Sequence, residues 1–345
     1  MSLHFFYRLR LVRAFIHNGL NLLSKLTPRR LWNALLVYGS YYLSVWTGRA
    51  MHRGMPLSLS VEPTTACNLR CPECPSGLRS FTRPTGHIAL ELYEHVLEQL
   101  APDLIFLTLY FQGEPYIHPR FLEMVRLAAN KGLYTISSTN AHFLTEENAR
   151  ATVESGLDRL IVSLDGLSQE TYESYRREGN LEEVLSGLRR LLKWKKRLKS
   201  RKPHVVLQFL VVRPNEHEIP AVHKLARELG VDELQLKTAQ IYEYENGHPL
   251  IPADLRYSRY KPAGNGRWVL KKPIKNRCLR MWQGAVLTWD GRVLPCCFDK
   301  DARHQLGQIP LRSFREIWKG ENYDAFRQKL LRAREEIGIC GNCTE

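Results

Sequence analysis

No acidic residue occurs before Glu62, while the first 53 of the 345 residues carry eight basic ones. The start, M-S-L-H-F-F-Y-R-L-R, lacks an ordered series of basic, apolar and small-residue regions, so no cleavable leader is expected and a reducing cytoplasm is the expected compartment. Long apolar runs are scarce too. The uncharged stretch between Arg30 and Arg49 has eighteen residues, near the lower limit for a membrane span, and its polar and aromatic content argues against a simple span. Repeats and low-complexity tracts are absent. With 44% hydrophobic and 25% charged residues, a disordered tail is excluded and a sizeable core is expected. Cysteine is too unevenly placed for a disulfide scaffold: three cluster at 67–74, and the next is Cys278.

What is present begins with charge. Fifty Lys+Arg against 35 Asp+Glu give +15, slightly over half of it in residues 1–53. Trp32, Tyr38, Tyr41, Tyr42 and Trp46 are the types that settle at lipid headgroups, and flanking arginines are drawn to anionic lipid. Two readings stand. Either an interfacial helix here, preceded by a second over 4–24, anchors residues 1–53 peripherally on an anionic membrane surface, or these helices pack on the protein's own core.

From residue 57 strands and helices alternate. Strands are predicted at 57–62, 104–110, 134–138, 159–163, 205–212 and 233–237, with helices at 90–100, 120–131, 146–155, 168–175, 181–198 and 219–229. Six strands each followed by a helix or return loop mean a parallel sheet, open or closed into a partial barrel, with the site at the strands' carboxyl ends. Residues 241–277 read as a linker or substrate loop. An Asp290-Gly291 turn joins short strands at 285–288 and 293–296, and a helix is predicted over 311–334. The basic run 193–202 reads as the solvated end of a helix. No recognition-helix or RNA-binding motif is present, so no nucleic acid partner is expected.

Cys67, Cys71 and Cys74 form a C-x3-C-x2-C pattern directly after the first predicted strand. Three thiolates on one loop suit a 4Fe-4S cluster that keeps one iron without a protein ligand. A structural zinc site needs four ligands, and the nearest spare donors, His52 and His87, are off spacing.

Four motifs at successive strand ends resemble the radical S-adenosylmethionine (radical SAM) superfamily: V-E-P-T-T-A-C-N-L-R-C-P-E-C, Gly113-Glu114-Pro115, Ser137-Ser138-Thr139-Asn140 and Ser163-Leu164-Asp165-Gly166. The resemblance covers roughly residues 57–240 and implies an α/β fold, a partial (β/α)6 TIM-like barrel. It implies further that Cys67, Cys71 and Cys74 hold a 4Fe-4S cluster whose fourth iron is chelated by S-adenosylmethionine (SAM), which is cleaved to a 5′-deoxyadenosyl radical. Glu114, with Gly113 and Pro115, would meet the SAM ammonium; Ser138, Asn140, Ser163 and Asp165 would meet its ribose or carboxylate, or the substrate. Two positions depart from the family pattern: Glu73 stands where an aromatic residue is frequent, and Asn140-Ala141 where Asn-Gly is frequent.

The remaining cysteines bracket the hairpin: Cys278 before it, Cys296 and Cys297 at its exit, and Cys340-Gly341-Asn342-Cys343 after the last helix. This resembles the twitch half of a SPASM domain and implies an auxiliary 4Fe-4S cluster held by Cys278, Cys296, Cys340 and Cys343. Cys297 is then a neighbour, since adjacent strand residues point to opposite faces. Zinc on the same four thiolates stays open. The expected domains are a basic helical segment (1–55), a radical SAM core (56–240), the linker (241–277), and a small β-hairpin plus helix auxiliary-cluster domain (278–345).

The expected function is hydrogen abstraction from an unidentified substrate, either modification of a peptide or dehydrogenation of a small polar molecule, with an electron donor such as flavodoxin or ferredoxin. The alternative is a non-catalytic, zinc-bound binding protein for an anionic partner.

Overall fold

The structure, a computed structural model, describes residues 3–343, with side chains from residue 11 onward. Helices α1 (Leu3–Leu23) and α2 (Pro28–Thr47) open the chain. Then come β1 (Ser58–Val61), α3 (Pro75–Leu78), α4 (Leu90–Leu100), β2 (Phe106–Thr108), α5 (Phe121–Asn130), β3 (Tyr134–Thr139), α6 (Glu146–Glu154) and β4 (Arg159–Ser163). The alternation continues with α7 (Gln169–Tyr175), α8 (Leu181–Arg197), β5 (His204–Val211), α9 (Ile219–Leu229) and β6 (Glu233–Thr238). A short hairpin follows, β7 (Tyr260–Pro262) and β8 (Trp268–Leu270). The chain closes with α10 (Arg280–Gln283), β9 (Gly284–Leu287), β10 (Arg292–Leu294), β11 (Gly307–Gln308), α11 (Phe314–Trp318) and α12 (Glu321–Ala333).

All six predicted core strands form, in a sheet of order β11-β10-β9-β1-β2-β3-β4-β5-β6. Every described pairing among β1 to β6 is parallel. Two compact units interleave along the chain, and β3 begins in the second and ends in the first. The first comprises Met1–Asn21, Cys67–Ser80 and Ser137–Lys272; the second comprises Leu22–Ala66, Phe81–Ile136 and Pro273–Glu345.

In the first unit, β5 is buried at most of its positions, as a strand covered on both faces must be. The 241–277 stretch is more than a linker. It contains the β7/β8 hairpin, and Tyr260 is 1% exposed, its hydroxyl donating to the Ile241 carbonyl (3.0 Å) and accepting from the Ile241 amide (2.8 Å).

In the second unit, α2 is divided lengthwise. Arg30, Asn33, Val37, Ser40, Tyr41 and Ser44 are buried, while Leu31, Trp32, Leu35, Tyr38, Tyr42, Leu43 and Trp46 are exposed. The buried face is held by polar bonds. Arg30 donates to the carbonyls of Ala101 (2.9 Å) and Gly132 (2.7 Å), and Asn33 donates to those of Met55 and Asp103. Core packing and an outward aromatic stripe therefore coexist on one helix.

The predicted Asp-Gly hairpin forms, pairing Val293 with Leu287 around Gly291 at φ +84°. The sequence reading did not anticipate that β9 would also lie parallel to β1, Ser58 opposite Gly284. A Cβ at Gly284 would stand 2.3 Å from Ser58 Oγ, so glycine permits that approach. The single helix predicted over 311–334 is two, α11 and α12, separated at Gly320. Ser313 and Glu316 form a reciprocal capping box at the start of α11.

Candidate active site and iron–sulfur centres

In the first unit the cysteine loop folds onto α3. A Cβ at Gly77 would lie 2.5 Å from the Cys71 amide nitrogen, so this glycine lets the helix close over the loop. Cys71 is buried and packs with Leu69, Tyr175, Val212, Ile241 and Tyr260, with Cys67 and Cys74 partly buried beside them. Burial raises the Cys71 thiol above its ordinary pKa, opposed by the Arg176 guanidinium, whose Nη1 lies 3.7 Å from the sulfur.

Arg176 links this loop to the end of β4. Its Nε donates to Asp165 Oδ2 at 2.5 Å, and Asp165 Oδ1 accepts from the Leu210 amide at 2.7 Å. Asp165 is fully buried. Burial opposes the charge on Arg176, but Asp165 and Cys71 outweigh it and its pKa is raised. Asn140 donates to Asn68 Oδ1 (2.7 Å), inside the cysteine motif. Ser138 is half-buried near the end of β3, and Ser163 is buried at the end of β4. Glu73 accepts from the Tyr242 amide (2.9 Å), with His248 Nε2 at 3.7 Å. The turn after β3 does form without glycine: Ala141 takes φ +68°, its amide donating to Thr139 Oγ1 at 2.9 Å.

In the second unit Gly113 takes φ +73°, and a Cβ there would meet the Thr64 carbonyl at 2.4 Å and the Ala66 carbonyl at 2.7 Å. No side chain fits. The next residue, Glu114, is buried; its amide donates to the Ala66 carbonyl (2.8 Å) and its carboxylate caps Tyr116 N at the start of the turn that opens with Pro115.

The C-terminal cysteines are also in the second unit. Cys278, Cys296, Cys340 and Cys343 line one small apolar-walled cavity with Met281, Phe326 and Leu330, and Arg334 enters it with Nη2 3.1 Å from Cys343 Sγ. Cys297 is elsewhere: it packs against Val286, Leu294 and Ala302, with Arg280 donating to its sulfur at 3.5 Å. All eight cysteines are free thiols. Among the described residues no three His, Cys, Asp or Glu side chains gather tightly enough for a single ion. A 4Fe-4S cluster takes one thiolate at each of its four irons, so four thiols lining one cavity fit it by donor type and number. His52 is a half-buried histidine engaged within the protein. Its Nε2 bonds the Trp282 carbonyl (3.1 Å), its ring stands edge-on to Trp318, and burial drives its pKa down to about 3.

Residues 61–232 match the Radical SAM superfamily, and residues 278–344 match an iron-sulfur cluster-binding domain, SPASM. The PqqA peptide cyclase of Gluconobacter oxydans is 30% identical over 258 residues, covering 70% of each chain. The chain belongs to the radical SAM superfamily. It is also 26% identical over 302 residues to the tungsten-containing aldehyde ferredoxin oxidoreductase cofactor-modifying protein of Pyrococcus furiosus, covering 78% of this chain and 82% of that one. Streptococcus suis SuiB bound to S-adenosylmethionine shares the fold, with TM-score 0.61 and 13% identity over 84% of this chain and 72% of that one.

The radical SAM protein is thus an enzyme with a TIM-like partial barrel. Its cofactors are SAM, a 4Fe-4S cluster and auxiliary iron-sulfur, and it needs a reductant and a substrate. Membership removes the non-catalytic zinc protein as a reading. The residues that sequence reasoning missed are Arg176 and Arg334, one beside each group of cysteines. Neither stands in a motif. A buried arginine near clustered thiols is a tertiary signal.

Proposed function

We propose that Cys67, Cys71 and Cys74 hold the SAM-binding cluster and that Cys278, Cys296, Cys340 and Cys343 hold an auxiliary 4Fe-4S cluster. The enzyme would abstract hydrogen from an unactivated C–H bond of a peptide or a small polar molecule. One observation carries this reading: a single cavity is lined by four of the five C-terminal cysteines and bypassed by the fifth, Cys297. When bound, the first cluster and SAM supply one-electron cleavage to a 5′-deoxyadenosyl radical.

The chain's own residues have distinct parts. Arg176 and Arg334 balance thiolate charge in low-dielectric surroundings, where an unpaired charge is costly. Asp165, with each oxygen accepting one hydrogen bond inside its unit, positions Arg176 and keeps acceptor capacity for SAM or the substrate. Glu114, held by its amide and a capped turn, presents a carboxylate for the SAM ammonium. Ser138, Asn140 and Ser163 are the groups for SAM hydroxyls or the substrate. Full thiolate coordination of the auxiliary cluster would suit acceptance of the electron left on a substrate radical, giving the oxidised product, and flavodoxin or ferredoxin suits the reductant.

No helix among the described residues is long and apolar enough to cross a membrane. The outward stripe of α2, in a segment without acidic residues, supports peripheral attachment to an anionic bilayer. Replacing Trp32, Tyr42 and Trp46 with Ser leaves the packed face intact and should weaken co-sedimentation with anionic vesicles.

The test of the chemistry is anaerobic reconstitution with metal analysis, where about eight irons per chain are expected for two cubes. Cys67→Ala, Cys71→Ala and Cys74→Ala should each stop 5′-deoxyadenosine formation. Zinc in place of iron at the second centre, or 5′-deoxyadenosine formed by these variants, refutes the assignment.

A further inference from the structure

A cavity in the first unit is lined by no cysteine. It has a volume of about 1000 Å³ and is walled by α1, the end of α8 with the loop that follows, and the residues that begin β4, β5 and β6. Asp158, His204 and Asp232 sit at those strand starts, whereas Asp165 lies beyond the far end of β4. Five residues of strand at ~3.3 Å each separate the two ends. The cavity is therefore on the face opposite to the one where this fold class places chemistry.

Its charge is one-sided. Seven Lys or Arg side chains and two histidines line it, against two carboxylates, Asp158 and Asp232. Both carboxylates are already engaged: Asp158 by Lys202 and by Asn21 Nδ2 (2.8 Å), Asp232 by Lys195. Arg13, Lys196 and Lys199 make no ion pair among the described residues, and Arg201 meets only His17, at 3.3 Å.

The basic run 193–202 is thus more than the solvated end of a helix. Cations there do suit the carbonyl end of α8. That preference does not explain why Arg13 and His17, on a helix about 180 residues earlier, face the same space. Ala14, Leu20, Leu192 and Leu229 add an apolar wall, and the volume exceeds what one inorganic ion fills.

We propose that this cavity binds a phosphate ester that carries an apolar or neutral body, with Arg13, Lys196, Lys199 and Arg201 as the anion contacts. A phospholipid headgroup and a soluble phosphorylated metabolite share that chemistry. No cysteine lines the site, and binding there does not depend on the radical reaction.

The experiment uses the full chain, with titration of glycerol 3-phosphate in one arm and co-sedimentation with phosphatidylglycerol or phosphatidylcholine vesicles in the other. Lys196→Glu/Lys199→Glu is compared with Lys261→Glu/Lys329→Glu and, independently, Arg13→Glu with Lys261→Glu alone, exposed controls outside the cavity that change net charge equally. The cavity variants should lose at least tenfold in affinity while the controls keep wild-type binding, with all variants checked for an unchanged thermal melt. Loss in the soluble arm identifies a free phosphate ester. Loss confined to phosphatidylglycerol vesicles identifies a lipid headgroup. If neither probe binds wild-type protein, or the controls weaken binding as much as the cavity variants, the proposal is overturned. Should one cavity variant melt early, the other decides.

Discussion

Asp165→Asn tests the link between the β4 end and the cysteine loop. The carboxylate is fully buried and Arg176 is 17% exposed at its side chain, so solvent screens the pair little. Asparagine keeps the volume and can still accept from Leu210 N, but it leaves the Arg176 guanidinium buried beside Cys71 without its counter-charge. Breaking one partner of such a pair costs ~3–5 kcal/mol, and the retained amide bond places this case near ~3 kcal/mol. With an m-value of ~3 kcal/mol/M, the urea midpoint should fall by ~1 M. Arg176→Met alone should cost a similar amount, because it strands the carboxylate. The double variant removes both charges and should be far more stable than the two losses summed, with a coupling of ~2–3 kcal/mol. Losses that add to within ~0.5 kcal/mol would refute the reasoning. Arg176 also opposes the burial that raises the Cys71 thiol. Removing it should push that thiol higher still, so iron loading of Arg176→Met should require higher pH than wild type.

Cys297→Ser should leave iron content unchanged, whereas Cys340→Ser or Cys343→Ser should remove about four irons and spare 5′-deoxyadenosine formation while stopping substrate turnover. His52, neutral in the fold with a pKa of about 3, makes the unfolded chain the better proton acceptor below its ordinary value of 6.5. Stability is full above that value and falls by ~1.4 kcal/mol per unit as pH drops towards about 3, about 2 kcal/mol at pH 5. His52→Gln should flatten that part of the pH–stability curve, measured by urea unfolding. Gly113→Ala should cost more than ~1 kcal/mol and weaken SAM binding by calorimetry, because φ +73° and a 2.4 Å approach to the Thr64 carbonyl both oppose a side chain.

Much of the architecture is local and therefore legible. The strand starting at Arg159 and the helices Leu90–Leu100 and Ile219–Leu229 have the limits their periodicity predicts, since a buried strand needs a short apolar run and a packed helix an apolar stripe. Gly320, in extended backbone at the N-cap of α12, marks an equally local break, but the apolar spacing on both sides hid it. The cysteine motifs are legible because cluster ligands on one loop must be close in sequence.

By itself the sequence determined the order of strands and helices, the two groups of thiols and the acid-free start. Only the tertiary structure decided which partners those groups meet. Cys296 and Cys297 are chemically equivalent in sequence, and both lie beyond the end of β10, in a turn and not in the strand expected over 293–296, so it is the packing of that turn that sets one against the cavity and the other against Val286 and Leu294. Arg176 reaches Cys71 across 105 residues, and Arg13 shares a cavity with Lys199 across more. Contacts of that separation come from chain closure and burial, which leave no periodic trace in the sequence.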